Sequence, residues 1–216
     1  MGFPTTRWSL LVASGDQAAA RLAWDELARR YRAPIHAWFR SRYGADRADD
    51  LTHAFFAESI AGDWWARADI DRGSFRTYLR MLLQRFGTRH GERYAIAGGD
   101  DQAIAAAAGG VTPEHAYERA FAQTLVAHAM DRLRDQSRDD PIMVALLQHV
   151  FERGEQGDLK QLASALGVLQ NTLSQRLRRL KLRLRELLRE EFSLLVVDPV
   201  QVDDELRLLR DALARD

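Results

Sequence analysis

Leucines recur at helical steps through the stretch DLKQLASALGVLQNTLSQRLRRLKLRLRELL, Asp158 to Leu188, and one glycine interrupts them. Leu159, Leu162, Ala163 and Leu166 form one face of a short helix, and Leu173, Leu177 and Leu180 continue one face of a longer one. Gly167 stands between them, where a positive φ costs least, and Val168 follows as an apolar plug. Ala163 is small at the point where the second helix must cross, since a larger side chain would hold the two helices apart. This order of small residue, glycine, apolar residue and polar helix start is the pattern of a helix-turn-helix.

The outer face of the second helix has matching chemistry. Gln170, Asn171, Thr172, Ser174 and Gln175 crowd its first turns, and such side chains donate to and accept from base edges in a major groove. From Gln170 to Arg185 there are six basic residues and no acid: Arg176, Arg178, Arg179, Lys181, Arg183 and Arg185. The stretch therefore predicts a reader of duplex DNA, with Gln170, Asn171, Thr172 and Gln175 towards bases. Arg176, Arg178 and Arg179 point towards phosphates at the reading end. A basic helix solvated on the outside of a bundle would carry the same charges. The turn pattern is what separates the two. One residue departs from the pattern: Leu169 stands where a polar cap is expected, and a missing cap costs about 1 kcal/mol.

Elsewhere the apolar residues also follow helical steps, as in Leu79, Leu82, Leu83 and Phe86, and the only strand-like patch is Leu194 to Val197. The expected class is all-α. Four helices fit residues 1–95, at about 16–32, 34–43, 47–61 and 75–92, the last capped by Ser74. Residues 96–113 hold glycines, alanines and a proline without Lys or Arg, and read as a flexible linker. A second helical domain is expected at 114–193, with Phe121, Leu125, Ala129 and Leu133 on one stripe of its first helix. An acidic extension follows at 194–216, where Leu206, Leu209 and Leu213 suit the inner face of a short helix.

Composition removes other classes. The chain of 216 residues has 46% apolar residues, enough for real cores. Basic and acidic residues balance at 31 each, so a DNA binder must place its charge unevenly, as the second helix does. With no cysteine, disulfides, thiolate zinc sites and cysteine nucleophiles are excluded. The six histidines have no metal-binding spacing, and neither a phosphate loop nor a nucleophile elbow is present. No catalytic residue, metal or cofactor is expected. No signal peptide and no membrane insertion are expected either, and the expected location is the cytoplasm.

Several stretches carry a family resemblance. FPTTRWSLL is similar to a start seen in some branches of the extracytoplasmic-function (ECF) sigma factors of bacterial RNA polymerase. RADDLTHAFFAESI resembles that family's third helix, whose usual form is close to Asp-Ala-Glu-Asp-Leu-Thr/Val-Gln-Glu-Val/Phe-Phe. RGSFRTYLRMLLQRFGTRHGER resembles its fourth, and Asp158–Glu191 resembles its −35 reader. The resemblance covers about 3–192, with the linker unmatched. It implies a promoter-specificity subunit without catalysis of its own. The first domain would bind the clamp coiled coil of the RNA polymerase core and the −10 element of promoter DNA. The second would sit on the flap and read the −35 element.

The residues of the first domain fit that expectation. Arg76/Arg80 and Arg85/Arg89/Arg93 step by four and can form cationic rows facing phosphates. Trp64, Trp65, Arg67, Asp69 and Arg72 precede them, and aromatic and arginine side chains can hold an unstacked base. Polymerase contacts are expected at Asp49, Asp50, His53 and Phe56. Against the family pattern, Arg47 replaces an acid and His53-Ala54 replaces Gln-Glu, a loss of charge pairs at the expected interface. Thr52 lies among them. A phosphate there would add about −1.5 to −2 charges, which makes Thr52 a candidate acceptor for a Ser/Thr protein kinase, the control used in some branches in place of an anti-sigma factor. The rival expectations are a helix-turn-helix regulator with an N-terminal sensor or dimerisation domain, and a helical adaptor for an acidic protein.

Overall fold

The computed structural model describes residues 17–62, 64, 74–95, 111–149, 159–196 and 200–214. Every regular element among them is helical, so the chain is all-α. In chain order these are α1 (Gln17–Arg30), α2 (Arg32–Tyr43), α3 (Ala45–Ala61), α4 (Phe75–Ala95) and α5 (Pro113–Ser137). Then follow α6 (Pro141–Leu147), α7 (Leu159–Ala165), α8 (Gln170–Ser193) and α9 (Gln201–Ala214). The expected linker, 96–113, lies outside the described residues except for its last three.

The chain divides into two compact units, 1–124 with 192–216 and 125–191. This division differs from the one the sequence suggests. The first half of α5 belongs to the first unit, and so does the acidic C-terminal segment. The reason lies in aromatic contacts that tie α5 to the helices before it. Phe121 of α5 stacks on Tyr31 with ring centroids 4.9 Å apart, and Tyr31 in turn meets Phe75 at 5.3 Å.

The first unit is built on aromatic packing between α2, α3 and α4. Phe39, Phe55 and Phe86 meet edge to face at 5.5–6.0 Å, an arrangement aromatic quadrupoles favour. Trp38 and Leu51 are buried in the same core. Gly44, at φ +84°, makes the turn between α2 and α3. The Trp24 indole N–H donates to Ser59 Oγ at 3.1 Å, which ties α1 to α3. At the start of α4, the Thr77 N–H reaches Ser74 Oγ at 3.4 Å, and the Phe75 N–H donates to Leu195 O at 2.9 Å. The patch around Leu195 is thus a buried turn and not a strand.

The second unit has one apolar core. Ala129, Met130 and Leu133 of α5 meet Leu146 and Leu147 of α6, Ala163 of α7, and Leu173, Leu180 and Leu187 of α8. Asp140 caps α6 by accepting from the Ile142 and Met143 N–H groups at 3.0 and 3.2 Å, with Pro141 in the first turn. Proline suits that position because its missing N–H has no helical partner to lose.

Candidate nucleic-acid interface

The turn between α7 and α8 is fixed by two hydrogen bonds. The Val168 N–H donates to Ala163 O at 3.0 Å, and the Gly167 N–H to Ser164 O at 3.2 Å. Together these make a Schellman motif, which needs a left-handed residue at its centre. Gly167 supplies it at φ +65°. Ala163, 3% exposed, and Val168 join the core beneath the turn. The chain then enters α8 at Gln170 with no interruption.

The N-terminal end of α8 is open. Gln170, Asn171, Thr172, Ser174 and Gln175 are exposed, as are Arg178, Arg179, Lys181 and Arg185. Leu173, Leu180 and Leu187 of the same helix are fully buried. The polar side chains at the N-terminus and the cations beyond them therefore share the outer surface. Leu169 is 77% exposed. Its carbonyl accepts from the Leu173 N–H at 3.1 Å, so the helix starts where expected without a side-chain cap.

Arg176 requires a correction. It does not stand free for a phosphate but pairs with Asp140, the cap of α6. Burial raises the Asp140 pKa, but hydrogen bonds from the Met143 N–H and from Arg176 outweigh that and leave it lowered. Arg183 is also engaged, with Gln136, Glu186 and Glu190. The exposed cations between Gln170 and Arg185 are Arg178, Arg179, Lys181 and Arg185.

On the first unit, α4 borders a cleft of about 560 Å³ lined by Trp64, Tyr78, Met81, Leu82, Gln84, Arg85, Thr88 and Arg89. Trp64 packs edge-on to Phe55 at 5.4 Å, and the Arg89 guanidinium lies 5.4 Å from the centre of its ring. The Tyr78 hydroxyl donates to Trp64 O and ties that residue to α4. Gly62 permits the arrangement, because a Cβ there would come within 2.6 Å of Trp64 Nε1. Arg85 and Arg89 are exposed. An aromatic wall, two cations and the amide of Gln84 suit an unstacked base and its phosphate. Arg67 and Arg72, expected beside Trp64, lie outside the described residues, as do Trp65 and Asp69.

The other half of the arginine row is occupied. Arg76 pairs with Glu118 and Glu205, and Arg80 pairs with Glu118. Arg76 faces no free surface as the i,i+4 spacing predicts, whereas Arg80 is paired but still 38% exposed. The two carboxylates come from α5 and α9, 42 and 129 residues along the chain, so nothing local to α4 announces them.

The α3 residues expected to meet the polymerase differ in exposure. Asp49, Asp50 and His53 are exposed and follow one another around the helix, while Phe56 is half-buried against Phe55. Asp46, exposed one turn earlier, adds a further carboxylate. Asp49 is not independent. Arg32 donates to it at 2.9 Å, with His36 at 3.7 Å. The Arg32 hydrogen bond, helped by His36 and His53, holds its carboxyl below the ordinary range.

Thr52 is a second correction. It is fully buried, and its hydroxyl donates to Ala48 O at 2.6 Å. It lies on the inward stripe of Ala48, Leu51 and Phe55, not on the face of Asp49 and His53. A kinase has no access to this hydroxyl unless α3 first opens.

No described helix is long and apolar enough to cross a membrane. Among the described residues no three His, Asp or Glu side chains gather as a metal site. No family model, curated protein or solved structure matches the chain.

Proposed function

We propose that this chain is a promoter-specificity subunit of bacterial RNA polymerase, of the kind its sequence resembles. The observation that carries the reading is the start of α8. Straight after a tight turn it exposes Gln170, Asn171, Thr172 and Gln175, then Arg178 and Arg179, above an inner face of leucines. That order suits base edges first and phosphates beside them. In this reading the second unit contacts the −35 element and the polymerase flap. The first unit contacts the −10 element through Trp64, Arg85 and Arg89, and the clamp coiled coil through Asp46, Asp50 and His53.

The cleft on the first unit favours this reading over a helix-turn-helix regulator with a sensor domain. A regulator has no need to hold an unpaired base, whereas an initiation factor does. The protein works without chemistry of its own: it supplies position and charge, and the polymerase performs the catalysis. Permanganate footprinting of promoter fragments with core polymerase tests the reading. Unpaired thymines near the transcription start, dependent on this chain and reduced by Arg85→Ala with Arg89→Ala, are expected. Duplex binding that never leads to strand opening supports the regulator instead.

A further inference from the structure

Arg76, in the first turn of α4, is enclosed by carboxylates of its own chain. Its Nε and Nη2 donate to the two oxygens of Glu205 at 2.8 and 3.4 Å, and its Nη1 donates to Glu118. The second oxygen of Glu118 accepts from Arg80 Nη1 at 3.3 Å. The Arg76 and Glu205 side chains are only 12% and 9% exposed. Two cations therefore meet two anions, with Arg76 and Glu205 largely closed to water and Arg80 open to it. Burial disfavours the charge on Arg76, but the two carboxylates outweigh it and keep the group ionised.

Glu205 arrives on α9, directly after Asp203 and Asp204 of its first turn. Only Val202 and Glu205 of that helix are buried. Leu206 and Leu209 are half-buried, while Leu208 and Leu213 are exposed, so Leu213 does not face inward as the sequence suggests. Val202 and the ion pair of Glu205 hold the N-terminal half of the helix, with Leu206 and Leu209 half-buried beside them. A buried ion pair contributes little net stability, because desolvation offsets much of the attraction. The two oxygens of a carboxylate meet an arginine fork much as two phosphate oxygens do.

We infer that α9 stands in for nucleic-acid phosphate on α4, holding Arg76 through Glu205 and keeping the first unit in a low-affinity state for single-stranded DNA. Displacing α9 exposes Arg76 beside Arg80, on the side of α4 away from Arg85 and Arg89, and so adds a second cationic surface to the first unit. The exchange replaces one Arg–oxyanion pair with another. Modest competition from a DNA strand is then enough to drive it. The inference rests on the nucleic-acid reading of α4 and adds a built-in cover to it.

The test uses the full chain and a fluorescein-labelled oligothymidylate. Glu205→Gln keeps the size of the side chain and removes its charge. It is expected to bind about tenfold more tightly than wild type at low salt. The slope of log K against log salt should steepen by about 0.7, the value for one further phosphate contact on a single strand. Adding Arg76→Gln should cancel both gains. A folded Glu205→Gln that binds like wild type overturns the inference. So does a gain that survives Arg76→Gln, because it would then reflect net charge alone. Hydrogen exchange on the wild-type chain is a test free of folding effects. Oligothymidylate should speed exchange of the α9 amides while α3 stays protected, and unchanged α9 exchange in the complex contradicts the cover. If no variant binds the strand even at low salt, the nucleic-acid reading of α4 fails with it. If all bind equally, the cover alone fails.

Discussion

Replacing Gly167 with alanine isolates the conformational demand of the turn before α8. The residue sits at φ +65°, and a Cβ built there meets no heavy atom within 4 Å. The substitution therefore changes backbone energy and leaves packing alone. An L residue in the left-handed region costs roughly 1–2 kcal/mol. Alanine also restricts the unfolded chain, which offsets part of this. The net expected loss is about 1 kcal/mol, with less for asparagine, which tolerates this conformation, and more for the β-branched valine. Hydrogen exchange at the Val168 and Leu173 amides reads the opening of this unit directly, since the first donates within the turn and the second at the start of α8. A loss of about 1 kcal/mol speeds their exchange about fivefold. Duplex affinity of the folded protein should not change, because the new methyl faces open space. Exchange as slow as wild type in Gly167→Ala, or equal in the Asn and Val variants, would refute the reasoning.

Three further outcomes follow from the same geometry. Leu169→Ser supplies the absent cap of α8 and should stabilise the second unit by about 0.5–1 kcal/mol, measured by the same exchange. A fall in stability would show that the exposed leucine packs on something. Asp140→Asn keeps a capping oxygen but removes the charge facing Arg176. The Asp140 pKa is lowered in the folded state, so its contribution is present above the unfolded value near 3.9 and is lost as pH falls through the folded one. Acid titration should therefore destabilise wild type relative to the variant below about pH 4; parallel curves would contradict this. Thr52→Val should cost within about 1 kcal/mol, since Ala48 O keeps its helical partner. Thr52→Glu should cost about 3–5 kcal/mol by burying an unpaired charge. A Thr52→Glu chain as stable as wild type in denaturant titration would show that α3 opens readily.

The two kinds of residue in the site differ in how far the sequence reveals them. The second unit is legible because its determinants are local. Ala163, Gly167 and Val168 lie within one turn, and Asp140-Pro141 caps the helix it begins. The α4 cleft is partly legible, since Trp64, Arg85 and Arg89 are separated by about one loop and one helix. The pairing of Arg76 with Glu118 and Glu205 is not, because helical spacing says which residues share a face and nothing about what covers it. Arg176 fails for the same reason: its partner, Asp140, is a cap on another helix. Thr52 could have been read correctly. Its position falls on the apolar stripe of Ala48, Leu51 and Phe55, and that stripe outweighs the likeness to a modified threonine.

Run-off transcription with core polymerase measures the central claim most directly. Wild-type chain added to core should give discrete transcripts from a subset of promoter fragments. Arg178→Ala with Arg179→Ala should weaken them through duplex binding, and Arg85→Ala with Arg89→Ala should weaken them after the duplex is bound. Tight, sequence-selective duplex binding with no transcript from any fragment would contradict the account.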